Sequence, residues 1–203
     1  IRALKARGLE VTLYPFVFMD CEDYPWRGRM TAADGAAVAQ VFGTKDGWGL
    51  RRLALHYAQI VADEGADGLL IGSEMRGLTW SRDAQGGFAA VDEFRALAAE
   101  CRAIVGPEVK LSYAADWSEY FGRQVEGEVW YHLDPLWADD NIDYVGIDWY
   151  APMGDWRAGD WRYGGGGLDG EAGFKGPRDP AYLAAQVAGG EGYDWYYAHE
   201  ADR

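Results

Sequence analysis

Several apolar stretches of this sequence end in an acidic residue that is followed by a turn or an aromatic side chain. The clearest is residues 65–79, where a short apolar run leads to Glu74. In barrels of parallel strands, catalytic groups lie just past the C-terminal ends of buried strands. Glu74 is therefore the candidate catalytic acid, and a turn cap or an ion pair with Arg76 is the structural alternative.

Three further stretches have the same design. Residues 9–20 end in Asp20, residues 109–117 end in Asp116-Trp117, and residues 142–150 contain Asp148-Trp-Tyr150. The carboxyl ends of parallel strands meet at one edge of a sheet, so these acids should lie near Glu74. Asp20, Asp116 and Asp148 are candidate substrate-binding residues, and Asp116 and Asp148 are also candidates for tuning the pKa of Glu74.

Helical patterns separate the four predicted strands. Apolar residues recur at three- and four-residue steps from about Trp48 to Glu64, before Gly65, and from about Ala90 to Val105, before Gly106-Pro107. A further helix is expected from Asp179-Pro180 to Gly189-Gly190. Strands that alternate with helices predict an α/β fold with a parallel sheet and right-handed crossovers.

The chain is rich in aromatic residues, with 10 Trp and 13 Tyr, and many of them follow the predicted strands. Flat apolar faces with polar edges suit a pyranose ring, so a carbohydrate groove is favoured over a packed aromatic cap at the barrel mouth. The candidate platforms are Trp26, Trp117, Trp149 and Tyr150, with Tyr120, Trp156, Trp161 and Tyr163 on the same rim.

Composition argues against several other functions. A net charge of -14 would repel nucleic acid and anionic membranes. No apolar run is long enough to span a membrane, and neither the cysteines nor the histidines form a metal-ligand pattern. Ser73 lacks the glycine of a nucleophile elbow two residues later. Residues 164–167, all glycine, lack the lysine of a phosphate loop. We expect no metal and no cofactor.

Several segments together resemble the TIM-barrel-like domain of gene transfer agent and phage tail proteins. That domain lies in large tail-tip or hub proteins, often labelled host-specificity proteins, and it is similar to clan-A glycoside hydrolases of the mannanase type. The resemblance covers nearly the whole chain. It is carried by residues 14–20, 24–29, 70–79, 110–121, 132–137, 145–150 and 189–197.

The resemblance implies a (β/α)8 TIM-barrel-like fold in which the strand before Glu74 is the fourth. Four strands are too few for a complete barrel of about 250 residues. The chain opens on the last turns of a helix at Ile1 and closes at Arg203 without a stop signal. We therefore expect residues 1–203 to be a fragment of a single domain, truncated at both ends and containing about strands 3 to 6.

The resemblance also implies a retaining glycoside hydrolase mechanism. Glu74 would protonate the leaving oxygen, and a second carboxylate after strand seven would attack the anomeric carbon. We expect that nucleophile beyond Arg203, with Glu200 as a weaker candidate. Ser73, a candidate substrate-binding residue, stands where such hydrolases usually have asparagine, and Asp116 stands where they often have asparagine before tryptophan. These departures point to an altered substrate or a lost activity.

Two hypotheses follow. In the first, the domain cleaves or engages cell-surface polysaccharide or peptidoglycan, with Glu74 as the acid/base. In the second, it is a non-catalytic structural or glycan-docking module, with its acids solvated or paired to arginines such as Arg29 and Arg76. Either way, the expected partners are glycans and other tail proteins. The expected location is the tail of a phage-like particle made in the bacterial cytoplasm.

Overall fold

The structure of this protein is a computed structural model that describes residues 1–22, 24–125, 127–150, 176 and 178–189. The chain divides into two compact units, residues 1–150 and 151–203. The prediction that residues 1–203 are one truncated domain stays a prediction. In the first unit the strands are β1 (Thr12–Leu13), β2 (Gly68–Ser73), β3 (Lys110–Asp116), β4 (Arg123–Val125), β5 (Glu128–Trp130) and β6 (Gly146–Asp148). Its helices are α1 (Arg2–Lys5), α2 (Gly35–Phe42), α3 (Leu50–Glu64), α4 (Arg76–Thr79), α5 (Ala89–Val105), α6 (Trp117–Tyr120) and α7 (Asp134–Trp137).

Four strands form a parallel sheet in the order β1, β2, β3, β6. These are the four strands predicted from the sequence, and each pairs with the one before it in the chain, as successive strands of a barrel do. The register between β2 and β3 shifts between Leu70 and Ser73. This irregularity lies directly before Glu74, where it re-aims the end of the strand.

Two of the four predicted strands are shorter than expected. Of residues 9–20, only Thr12–Leu13 pairs with β2, because the chain leaves the sheet before Pro15, which has no N–H to donate. Further on, Phe18 forms an isolated antiparallel bridge with Trp26. Of residues 142–150, only Gly146–Asp148 pairs with β3.

The two long helices are confirmed. α3 ends at Gly65, which has the left-handed conformation (φ 68°) that a glycine adopts readily. Not all of the apolar residues that recur at three- and four-residue steps are fully buried on α3, since Leu53, Tyr57 and Ile60 are only half-buried. Its fully packed face contains Leu50, Ala54, Ala58 and Val61.

α5 buries much of its predicted apolar face, namely Val91, Phe94, Leu97, Ala98 and Cys101, together with Ala90. These side chains and the apolar residues of β2 and β3 form the core of the first unit, between the sheet and the outer helices. Phe42 of α2 and Phe94 of α5 meet there edge to face, with ring centroids 4.8 Å apart.

Several elements were not foreseen from the sequence, among them α2, the β4–β5 hairpin and the short helices α4, α6 and α7. α2 begins after Asp34, whose Oδ1 accepts a hydrogen bond of 2.8 Å from the N–H of Ala37. β4 and β5 form a small antiparallel hairpin in which Val125 pairs with Glu128. Its turn contains Gly127 with φ 81°, a value that glycine tolerates.

The second unit contains α8 (Pro180–Gly189), at the position predicted for it. Asp179 precedes the helix, and its Oδ1 accepts a hydrogen bond of 2.9 Å from the N–H of Ala181. Gly190 lies outside the described residues. Among the described residues, no helix has both the length and the apolar character needed to cross a membrane.

Candidate functional site

Glu74 lies directly after β2 with φ 47°, the only positive φ of a non-glycine residue in the described part of the chain. This conformation costs an L-residue free energy and persists only where the surroundings hold it. Two hydrogen bonds do so here. The N–H of Glu74 donates to the carbonyl of Ala114 (2.8 Å), and the N–H of Met75 donates to Oη of Tyr113 (2.8 Å). Strain of this kind clusters at functional sites.

The side chain of Glu74 is buried, and the residue is only 6% exposed. Its Oε2 accepts a hydrogen bond of 2.8 Å from Nε1 of Trp26 and lies 3.0 Å from Nη2 of Arg27. The predicted arginine partner was therefore the wrong one. Arg27 pairs with Glu74, whereas Nη1 of Arg76 donates to Oγ of Ser118 (2.6 Å).

Trp26 and Arg27 reach Glu74 because the chain makes a tight 3-10 turn over Arg27–Arg29. The Trp26 indole folds back over Gly28, and a Cβ at position 28 would overlap the ring. Arg27 is fixed from a second side, since its Nε donates to both the carbonyl (2.8 Å) and Oγ (2.7 Å) of Ser73.

Asp148 also contacts Glu74. The pairing of Asp116 with Asp148 brings the end of β6 level with the end of β3. The carboxyl group of Asp148 then lies close enough to Glu74 to raise its pKa. Oη of Tyr14 donates to Oδ2 of Asp148. Burial and the Asp148 carboxylate raise the pKa of the Tyr14 hydroxyl, which keeps it a donor.

The pKa of Glu74 is raised above its ordinary value. Burial is the largest cause, and the neighbouring Asp148 adds to it, while the Trp26 hydrogen bond and the Arg27 charge act in the opposite direction. Glu74 is thus a buried carboxyl group that holds its proton to higher pH than a solvated glutamate does. Trp26 and Arg27 both bind Oε2 of Glu74. Neither of these two donors occupies Oε1, which can therefore carry the proton.

The other predicted polar residues lie at different depths. Ser73 is fully buried beneath Glu74 and accepts the hydrogen bond from Arg27. Asp116 is buried and caps α6, where its Oδ1 accepts a hydrogen bond of 3.0 Å from the N–H of Ser118. Asp20 is exposed. A role in substrate binding stays a prediction for all three.

Three of the predicted aromatic residues lie at the ends of β3 and β6. Trp117 and Trp149 have ring centroids 6.4 Å apart, and both contact Phe121 at 6.2 Å. Trp149 is 43% exposed and Tyr150 is 74% exposed. Trp156, Trp161, Tyr163, the glycines of 164–167 and Glu200 lie outside the described residues.

Arg27 and Tyr14 were not predicted from the sequence as parts of the site. Both belong to motifs that carried the resemblance. Arg27 lies in a turn, and Tyr14 follows β1 directly but lay within the longer strand predicted over residues 9–20. Glu119, which forms a capping box with Asp116 at α6, was not predicted either. That box has a sequence signature, an acidic N-cap three residues before a glutamate. In the part of the chain that the structure describes, no three His, Cys, Asp or Glu side chains are grouped to hold a metal ion.

Sequence comparison agrees with this geometry. The profile of the GTA TIM-barrel-like domain family matches residues 48–203. The chain belongs to this family. Its parallel four-stranded sheet with outer helices is accordingly part of a TIM-barrel-like fold, and the match includes both Glu74 and Asp148. No curated protein sequence matches the chain significantly.

Solved structures that resemble this GTA TIM-barrel-like chain include three of GH113 enzymes. A complex structure of a GH113 β-1,4-mannanase has 23% identity and a TM-score of 0.46, with 78% of this chain and 41% of that one covered. The GH113 β-mannanase AaManA from Alicyclobacillus acidocaldarius, in complex with ManMIm, has 20% identity and a TM-score of 0.46, with 75% and 41% covered. Another GH113 β-1,4-mannanase has 20% identity and a TM-score of 0.47, with 93% and 46% covered. This chain spans less than half the length of these structures.

Proposed function

We propose that this chain carries a glycoside hydrolase site that engages and cleaves polysaccharide, with Glu74 as the general acid. The observation that carries the proposal is the state of Glu74. It is a buried carboxyl group at a strand end, with a raised pKa and a second carboxyl group beside it. A general acid must hold a proton near neutral pH and deliver it to the leaving oxygen, and burial next to another carboxylate favours this.

The neighbours of Glu74 have separate tasks in this mechanism. Trp26 and Arg27 fix Oε2, so the carboxyl group cannot rotate freely. Asp148 favours the protonated form of Glu74, and Tyr14 holds Asp148 in place. After the proton leaves, Arg27 stabilises the Glu74 carboxylate, which can then act as the base toward water.

Asp148 does not suit the role of nucleophile. The two carboxyl groups of a retaining enzyme lie about 5 to 5.5 Å apart, with the sugar between them. Asp148 ends β6 and acts on the pKa of Glu74, whereas the family resemblance implies a nucleophile after strand seven. The nucleophile therefore belongs at a different strand end, as the family resemblance implies.

The substrate class follows from the surroundings of the acid. Exposed aromatic rings at the ends of β3 and β6 offer flat apolar faces beside carboxylates, which is a surface suited to a sugar ring. Trp149 and Tyr150 are the exposed members, and Trp117 supports Trp149 edge to face. Cell-surface polysaccharide and peptidoglycan are the proposed substrates.

The biological setting is part of the proposal. Membership of the GTA TIM-barrel-like family supports a place in the tail of a phage-like particle, beside other tail proteins. In that position, glycan cleavage would open the cell envelope where the particle attaches.

One observation favours a second function, a non-catalytic glycan-docking module. Arg27 is itself buried and forms an ion pair with Glu74, as an acid with a purely structural role would have. The raised pKa of Glu74 supports the hydrolase instead, because burial and Asp148 outweigh Arg27 and Trp26.

Cleavage and binding by a protein that includes the nucleophile expected beyond Arg203 separate these two functions. A panel of reducing-end-labelled polysaccharides and peptidoglycan is incubated with the wild type, Glu74→Gln and Glu108→Gln. Glu108 is exposed and precedes β3, at the other end of the strand, so its variant is a matched control. If the domain is a hydrolase, the wild type and Glu108→Gln cleave the glycan and Glu74→Gln does not. All three proteins should still bind the glycan. Equal binding without cleavage by any of them would favour the docking module.

A further inference from the structure

Glu119 is a buried carboxyl group that the proposed reaction does not use. It is 0% exposed and lies in α6, which follows β3. Its Oε1 accepts hydrogen bonds from Oγ1 of Thr79 (2.6 Å) and Oη of Tyr113 (2.9 Å). Its Oε2 accepts one from the N–H of Asp116 (3.1 Å). A buried carboxyl group is costly unless it is hydrogen-bonded. Here two donors from β3 and one from α4 converge on it.

One of these donors leads to Glu74. Oη of Tyr113 donates its single hydrogen to Glu119 and accepts the N–H of Met75 (2.8 Å). Glu119 therefore orients the Tyr113 hydroxyl so that a lone pair faces the Met75 amide. That amide belongs to the peptide that follows Glu74, the residue with φ 47°.

A second donor, the hydroxyl of Thr79, extends the network to a histidine. Nε2 of His132 lies 3.1 Å from Oγ1 of Thr79, and Thr79 passes its own hydrogen to Glu119. Burial lowers the pKa of His132 to about 4, so the ring is neutral at neutral pH. Nδ1 of His132 lies 3.4 Å from the carbonyl of Trp130, so this neutral ring ends the network that runs from Glu119 through Thr79.

We propose that Glu119 and Tyr113 are positioning residues that hold the strained backbone of Glu74 in the conformation from which its carboxyl group meets Trp26, Arg27 and Asp148. The description of Glu74 as an acid rests on the proposed function, but its positioning does not. Since the left-handed conformation costs free energy, loss of the Met75 acceptor should let the backbone of Glu74 relax. The carboxyl group would then leave its buried position.

The test uses Tyr113→Phe in the full chain, with Tyr57→Phe as the control. The substitution at 113 removes one oxygen and keeps the ring that packs against Phe94 and Trp137. Tyr57 is a half-buried tyrosine on α3, away from Glu74. Two quantities are measured without substrate: hydrogen exchange of the Met75 amide, and titration of the Glu74 carboxyl carbon by NMR.

We expect the Met75 amide to exchange at least tenfold faster in folded Tyr113→Phe, and the pKa of Glu74 to fall toward its ordinary value. Tyr57→Phe should match the wild type in both. An unchanged exchange rate and titration in folded Tyr113→Phe would overturn the positioning role. If this variant does not fold, the wild type decides: its Met75 amide must be protected to a similar degree as the Glu74 amide, and fast exchange would overturn the proposal.

Failure of this inference is distinguishable from failure of the proposed function. Glycan cleavage is measured in parallel for the wild type and both tyrosine variants. If Tyr113→Phe changes the exchange of the Met75 amide and the titration of Glu74, but none of the three proteins cleaves glycan, the positioning role stands and the hydrolase function is rejected. Cleavage by the wild type with unchanged exchange in Tyr113→Phe would do the reverse.

Discussion

The carboxyl group of Asp148 lies close enough to Glu74 to raise its pKa, although the strands that carry the two residues are separated by β3. Glu74 leaves β2 in a left-handed conformation, and Asp148 ends β6. Their side chains meet across the end of the intervening strand. This contact gives the site a carboxyl pair in which a proton can be held, and it distinguishes the site from an acid that only pairs with arginine.

The first prediction concerns Asp148. Its carboxylate raises the pKa of Glu74, so Asp148→Asn should lower the pKa of Glu74 toward its ordinary value. Titration of the Glu74 carboxyl carbon by NMR measures this directly. Asp140→Asn, at an exposed position before β6, is the control and should leave the titration unchanged. A pKa that stays constant or rises in Asp148→Asn would show that Asp148 is not the source of the effect.

Arg27 should act in the opposite direction. Its charge lowers the pKa of Glu74, so Arg27→Met should raise that pKa further. The variant also leaves the carbonyl of Ser73 without the Arg27 donor, which costs about 1 to 3 kcal/mol of folding free energy. NMR titration and urea unfolding measure the two effects. Arg52→Met, on the exposed side of α3, should change neither.

Gly28 should be required for the contact between Trp26 and Glu74. A Cβ at position 28 overlaps the indole ring, so Gly28→Ala should displace Trp26 and break its hydrogen bond to Oε2. The Nε1–H resonance of Trp26, assigned by comparison with Trp26→Phe, should shift and lose protection from exchange. In Gly35→Ala the new Cβ meets neighbours only at ordinary contact distances, so the same resonance should stay in place.

Glu119 and His132 should affect the pH dependence of the free energy of unfolding in opposite directions. Burial raises the pKa of Glu119 from 4.5 to about 7, so the folded state binds more protons in this window and stability falls as pH rises through it. Burial lowers the pKa of His132 from 6.5 to about 4, so in that window the folded state binds fewer protons and stability rises with pH. The two effects oppose each other between pH 4.5 and 6.5.

Glu119→Gln removes the first effect and leaves the second. Relative to Glu108→Gln, this variant should therefore lose about 2 to 3 kcal/mol of additional stability when the pH falls from 6.5 to 4.5. Urea unfolding at a series of pH values measures the difference. Parallel curves for the two variants would mean that Glu119 titrates at its ordinary pKa in the folded state.

Much of the scaffold could be predicted from the sequence. The two long helices and β2 are local patterns with clear stop signals, such as Gly65 after α3. The lengths of the strands at 9–20 and 142–150 were overestimated because the apolar pattern extends beyond the residues that pair with the neighbouring strand. Pairing depends on where the neighbouring strand lies, and the neighbour is distant in the sequence.

The site was only partly predictable. Glu74 and Asp148 were found because they stand at strand ends, where the fold brings side chains together. Trp26 and Arg27 meet Glu74 through a turn whose path depends on Gly28 and on the bridge between Phe18 and Trp26. No local pattern reveals such a contact, because it joins residues 48 positions apart.

Cleavage of polysaccharide and peptidoglycan by the wild type and Glu74→Gln is the most direct test of the proposed function. Removal of a general acid costs typically 10²- to 10⁴-fold in rate. We therefore expect glycan cleavage by the wild type and by Glu108→Gln, and a loss of at least about 100-fold in Glu74→Gln with glycan binding retained. Cleavage at the same rate by Glu74→Gln would contradict the role assigned to Glu74.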